Sequence, residues 1–123
     1  MQTVLLVEDD EEYRQILSEI LRDSNLGVVE AANGEEGLRA LQKSSIDLIL
    51  LDLIMTKMDG IKFYNRYKKL IKKKIPILIL TNLMLSNIKQ LVKKPEIKGY
   101  LIKTNVSLEQ IVQKIQSVLK GQK

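Results

Sequence analysis

The sequence predicts a doubly wound α/β sandwich, five βα units whose parallel strands form one sheet between two layers of helix. Three observations point there. Short apolar runs rich in Val, Ile and Leu alternate with longer amphipathic stretches, the pattern of repeated βα units. Two of these runs, IDLILL at 46–51 and PILIL at 76–80, are apolar almost throughout, as strands covered on both faces are. The longer stretches keep an i, i+3, i+4 spacing, and right-handed crossovers between parallel strands then place helices on both sides of the sheet. A chain of 123 residues has room for one such domain, spanning 1–123, with a substantial core.

The elements follow in order. TVLLV at 3–7 is the first strand, and Tyr13, Ile16, Leu17, Ile20 and Leu21 share one face of the first helix. GVVEA at 27–31 is the second strand. Asn33, with Glu36 three residues on, marks the start of a second helix that presents Leu38 and Leu41, because such a pair satisfies orphan amides at a helix N-terminus. The third and fourth runs are the central strands. Between them lies a helix carrying Ile61, Tyr64, Tyr67, Leu70 and Ile71, and after them a fourth helix marked by Ile88, Leu91 and Val92. GYLI at 99–102 is the last strand. Ser107 and Gln110 form a second capping pair, opening a final helix through Leu108, Ile111, Val112, Ile115, Val118 and Leu119 that Gly121 stops.

Composition excludes several chemistries. There is no cysteine, so neither a disulfide frame nor a thiol nucleophile is available. There is no histidine, which excludes a serine triad, a histidine-ligated zinc site and a phosphohistidine donor within this chain. The opening MQTVLLVEDD is too short in apolar residues for a signal peptide or membrane span, so the expected location is the cytoplasm with no membrane partner. Residues 1–61 hold 13 acidic against 5 basic residues, whereas residues 62–123 hold 2 against 15. Solvated helix faces account for such lysines, and no reading motif accompanies them. Direct nucleic-acid binding is therefore not expected.

Ligands of an open parallel sheet bind beyond the carboxyl ends of its strands. Strand one ends in Glu8-Asp9-Asp10, strand three in Asp52, strand four in Thr81 and strand five in Lys103. Carboxylates of this kind offer hard oxygen ligands to Mg2+, with Mn2+ as a substitute, while one carboxylate can attack phosphorus. The ion and the Lys103 ammonium would neutralise the oxygens of a transferring phosphoryl group.

These residues resemble the receiver domains of bacterial response regulators. VLLVEDDEEYR resembles the family's first strand and acidic pair, LLDLIMTKMDG its phosphoacceptor loop, ILTN its fourth-strand end and GYLIK its aromatic-then-lysine ending. The resemblance spans the whole chain. It implies a flavodoxin-like sheet of order 2-1-3-4-5 and a signalling switch that catalyses only its own phosphorylation and dephosphorylation. It also implies Asp52 as phosphoacceptor, Asp9 as a direct Mg2+ ligand, Glu8 as a ligand mainly through water, and the backbone carbonyl of Ile54 as a further ligand. Thr81 resembles the switch hydroxyl, Tyr100 the aromatic that turns in behind it, and Lys103 the phosphate-pairing ammonium. The implied donor is a sensor histidine kinase or phosphotransfer protein. The implied reader is a downstream protein or output domain on the surface of the fourth helix, fifth strand and fifth helix, where Lys89, Lys93, Lys94 and Lys98 suit an acidic partner.

Three positions depart from the family's pattern. Thr56 and Thr104 stand where proline is usual, and Asn82 stands where a smaller residue is common. The second departure leaves the Lys103–Thr104 bond either cis or trans. Ile54 and Leu83 are expected to flank the entrance and keep it dry. An aspartyl-phosphate phosphatase would need a second acid two residues after its nucleophile, and Ile54 occupies that place.

Overall fold

The computed structural model describes residues 1–55 and 58–121; the Thr56 departure lies outside them. Five strands, β1 (Thr3–Val7), β2 (Gly27–Ala31), β3 (Leu48–Leu51), β4 (Ile77–Thr81) and β5 (Ile97–Ile102), form one parallel sheet in the order β2-β1-β3-β4-β5. The expected fold and strand order are therefore observed. All residues of β3 and β4 are buried, consistent with their unbroken apolar runs. The last strand begins earlier than expected because Ile97 pairs with Ile77 of β4, and a register shift then passes over Lys98 so that Gly99 pairs with Leu78.

Alternation along the strands builds two cores. Leu5, Val7, Ile49, Leu51, Ile77 and Ile79 point to one side, where Leu38 and Leu41 of α2 (Gly34–Lys43) and Phe63, Tyr64 and Tyr67 of α3 (Gly60–Leu70) cover them. Val4, Leu6, Leu48, Leu50, Leu78 and Leu80 point to the other. There Leu17 and Leu21 of α1 (Glu11–Asp23) and Ile111, Ile115 and Leu119 of α5 (Leu108–Lys120) close the sandwich. A period of two in the strands meets a period of 3.6 in the helices, which is why one sequence supplies both faces.

The helix ends follow local chemistry. Asn33 accepts from the Glu36 N–H at 3.0 Å while the Glu36 carboxylate accepts from Ala32 N at 2.9 Å. Ser107 and Gln110 form a full capping box. Asn25, at φ 65°, ends α1 in the left-handed region that asparagine tolerates. Gly121 caps α5 with φ −72°, so α5 stops there without a left-handed turn. The expected fourth helix is reduced to α4 (Leu85–Ile88) and a 3-10 turn over Leu91–Lys93. No side chain caps α4, and so short a segment cannot offset the cost of helix nucleation by itself.

The amino-terminal edge of the sheet carries a buried carboxylate. Glu96 receives hydrogen bonds from Lys68 and from the Tyr64 hydroxyl, joining α3 to the start of β5. Burial alone would push the Glu96 carboxyl up, but the hydrogen bond and charge of Lys68 outweigh it and hold the group below the usual carboxylate range. A carboxyl held low in the folded state supports the fold above its unfolded pKa of about 4.3, and that support is lost as pH falls through the lower folded value. Glu96→Gln is therefore expected to reduce the stability lost between about pH 7 and pH 3. Urea midpoints measured at both pH values check this, and equal acid losses in parent and variant would contradict it.

Candidate functional site

At the opposite edge, the strand ends bring the expected residues together. The Glu8 N–H donates to Ala31 O at 3.0 Å and the Asp52 N–H to Val7 O at 3.1 Å, so backbone bonding to neighbouring strands continues into both acids. The Asp52 loop is then held from below. Asp59 caps α3 by accepting from Lys62 N at 2.9 Å, and Gly60 N donates to Leu53 O at 3.0 Å. A Cβ on Gly60 would lie 2.7 Å from Leu53 Cα and 2.8 Å from the Asp52 carbonyl oxygen. Only glycine lets the helix start this close to the strand end.

Glu8 and Asp52 are 2% and 5% exposed, and one carboxylate oxygen from each of Glu8, Asp9 and Asp52 lies within 4.8 Å of the others. Such a cluster could hold a metal ion. Opposite corners of an octahedron with bonds of about 2.1 Å are about 4.2 Å apart, so small side-chain adjustments, or a bridging water, would seat a hard cation among these oxygens. The donor set, all carboxylate oxygen, suits Mg2+ or Mn2+ rather than a soft metal.

Lys103 lies across the cluster. Its Nζ donates to Glu8 Oε1 at 2.5 Å and to Asp52 Oδ2 at 3.0 Å. Among the described residues no peptide bond is cis, so the Lys103–Thr104 bond is trans and the lysine reaches both carboxylates from that geometry. Burial would lower the Lys103 pKa, but the Glu8 hydrogen bond and the Asp52 charge outweigh it and raise it. Glu8 moves the other way from an ordinary acid. Burial pushes its carboxyl up, against the opposing pull of Lys103, and the Asp52 charge adds to the rise.

The remaining expected residues are placed as follows. Thr81 is fully buried at the end of β4, and its hydroxyl accepts from Leu83 N at 3.4 Å. Tyr100 pairs in register with Ile79 and packs, partly buried, against the core on the α2–α3 side. Ile54 is 53% exposed, and its N–H donates to Asp52 Oδ1 at 3.1 Å. Leu83 is partly packed against the core, so Ile54 is the more open of the two residues expected at the entrance.

Sequence reasoning missed three contributors. Tyr13, taken only as part of a helix face, places its ring 4.8 Å from Lys103 Nζ, within range of a cation–π contact. Arg14 donates to the Glu8 carbonyl at 2.8 Å and pairs with Glu30, tying α1 to the first strand end. Asn82 accepts from the Thr104 N–H at 3.2 Å. The first two were legible only as residues one turn inside a helix that follows an acidic strand end.

A profile of the response regulator receiver domain matches residues 4–116. The transcriptional regulatory protein YcbL of Bacillus subtilis is 38% identical over 63% of this chain, and GlrR of Escherichia coli 37% identical over 63%. The chain spans 33% and 17% of the lengths of those two proteins. Among solved structures, the Vibrio cholerae chemotaxis protein CheY4 is 34% identical, with TM-score 0.85 over 96% of this chain and 98% of its own. TrrA of Thermotoga maritima, solved in complex with Mg2+ and BeF, is 26% identical, with TM-score 0.80 over 95% of this chain and 98% of its own. The matched profile, the sheet order and the acidic edge agree, and the chain belongs to the receiver domains of two-component response regulators.

Proposed function

We propose that this receiver domain accepts a phosphoryl group on Asp52 from the phosphohistidine of a sensor histidine kinase or phosphotransfer protein. The observation that carries this reading is the meeting of Glu8, Asp9 and Asp52 within 4.8 Å, with the Lys103 ammonium on two of them. An Asp52 oxygen forms the new bond to phosphorus, and the donor leaves with the electron pair of the bond that breaks. Glu8, Asp9, Asp52 and the Ile54 carbonyl would hold Mg2+, which supplies positive charge to the phosphoryl oxygens. Lys103 supplies the second positive charge. Thr81 already uses its hydroxyl as an acceptor for Leu83 N, leaving the proton for a phosphoryl oxygen.

The gain of about −1.5 to −2 of charge at Asp52 would draw on Thr81 and reposition Tyr100 beside it. That change would reach the surface of α4, β5 and α5, where exposed Lys89, Lys93, Lys94 and Lys98 favour an acidic partner or output domain. The chain acts on no other substrate in this reading. Cytoplasmic placement fits it, and no helix among the described residues is long and apolar enough to cross a membrane.

Acetyl phosphate with Mg2+ tests the reading by intact mass. The parent should gain one phosphoryl group, whereas Asp52→Ala should gain none and chelation of the metal should prevent it. No adduct on the parent, or an undiminished adduct on Asp52→Ala, would show that the assignment is wrong.

A further inference from the structure

We infer that Asn82 and the Thr104 N–H form a clasp that fixes Lys103 against the Thr81 end of β4, making Asn82 a positioning residue for phosphoryl capture. This rests on the reading of Asp52 as acceptor. The paired rungs of β4 and β5 end at Thr81 and Ile102. Each strand carries one of the groups proposed to meet the phosphoryl oxygens, Thr81 in that last rung and Lys103 one residue past it. No further backbone rung holds them together. The Asn82 carboxamide oxygen supplies one from a side chain, accepting from Thr104 N at 3.2 Å.

The bond lands where a donor is in need of a partner. Lys103–Asn105 is a 3-10 turn, and no side chain caps it from its own N-terminus, where Ile102 stands. The first N–H groups of any helical turn lack partners within it. Asn82 thus caps this turn from the neighbouring strand. Lys103 is the first residue of the turn, one peptide from the clasp, while its Nζ spans Glu8 and Asp52 at 2.5 and 3.0 Å.

Asn82 and Thr104 are both exposed, so the clasp touches no core residue and its loss should leave the fold standing. What it governs is alignment. Thr104 contributes through its backbone N–H alone, which makes a residue lacking that donor the direct test. The two unusual residues at 82 and 104 are then one feature, since the asparagine uses a donor that proline would not offer.

The test measures phosphorylation of Asp52 at saturating acetyl phosphate and Mg2+, beside magnesium affinity and thermal midpoint. Asn82→Ala should slow phosphorylation about tenfold, equivalent to about 1.4 kcal/mol of barrier, with the thermal midpoint unchanged and magnesium affinity no weaker than the parent's. Thr104→Pro should slow it comparably, and the double variant should be no slower than the slower single one, because both remove the same bond. Parental rates in Asn82→Ala, or losses that multiply in the double variant, would overturn the clasp. Amide hydrogen exchange in the unphosphorylated protein separates this from the reading beneath it. Thr104 should exchange faster in Asn82→Ala and keep parental protection in Thr104→Ala. If the parent takes up no phosphoryl group, the Asp52 assignment fails, and the clasp is overturned only by unchanged Thr104 exchange in Asn82→Ala.

Discussion

Lys103→Met is expected to bind Mg2+ about tenfold more tightly than the parent, yet to accept a phosphoryl group about a hundredfold to a thousandfold more slowly. The two effects have opposite signs because one ammonium faces two different charge states. Before transfer, Lys103 neutralises Glu8 and Asp52 at 2.5 and 3.0 Å, the oxygens a cation would need. Removing a like charge at about 4 Å strengthens cation binding, since such pairs interact by about 4 kcal/mol at an effective dielectric near 20, before solvent screening. In the proposed transfer the same ammonium would stabilise negative charge on the phosphoryl oxygens, and loss of one such donor typically costs about 10²–10³ in rate. Without metal, the variant also leaves the 2%-exposed Glu8 facing Asp52 uncompensated, so its thermal midpoint should fall and recover with Mg2+. Calorimetric titration and a phosphorylation time course provide the two readings. Weaker metal binding, or an unchanged rate, would remove Lys103 from the role given to it.

Gly60→Ala should destabilise the domain by about 3 kcal/mol, toward the upper end of the usual cost of overpacking. For a domain of this size that lowers the thermal midpoint by about 10 °C. The added Cβ would meet backbone at 2.7 and 2.8 Å, from Leu53 and Asp52, and backbone cannot rotate aside. Gly34 is the fitting comparison. Its added Cβ meets the Met58 side chain at 2.8–3.0 Å, and a flexible thioether can move, so Gly34→Ala should cost under about 1 kcal/mol. Because Gly60 abuts the segment bearing Asp52, the Gly60 variant should also lose phosphoryl acceptance beyond what its stability explains at low temperature. Parental denaturation midpoints in both variants would contradict the close-approach argument.

The strands were legible in the sequence because β3 and β4 are buried on both faces, which forces an unbroken apolar run, and helices α1, α2, α3 and α5 because each covers a core with a regular stripe. The fourth helix is present but shorter than its spacing suggested. Ile88 and Leu91 are buried at helical spacing, but apolar spacing reports which residues face the core and not whether the backbone between them is continuous. The acids were legible for a different reason, since topology alone places strand ends together. That Asn82 would reach Thr104, or Tyr13 would lie over Lys103, depends on side-chain reach between elements far apart in sequence, which no local pattern encodes.

The contact between Tyr13 and Lys103 has an optical consequence. The chain has no tryptophan, and tyrosines at only four positions, 13, 64, 67 and 100, supply its near-ultraviolet absorbance and emission. Tyr64 and Tyr67 are sealed in the core with ring centroids 6.4 Å apart, a fixed background. Tyr13, half-buried with an ammonium 4.8 Å from its ring, is the chromophore whose surroundings change whenever Lys103 shifts. With Tyr100, itself proposed to move, replaced by Phe, the molecule carries a label-free reporter on its own lysine, readable by ordinary tyrosine fluorescence.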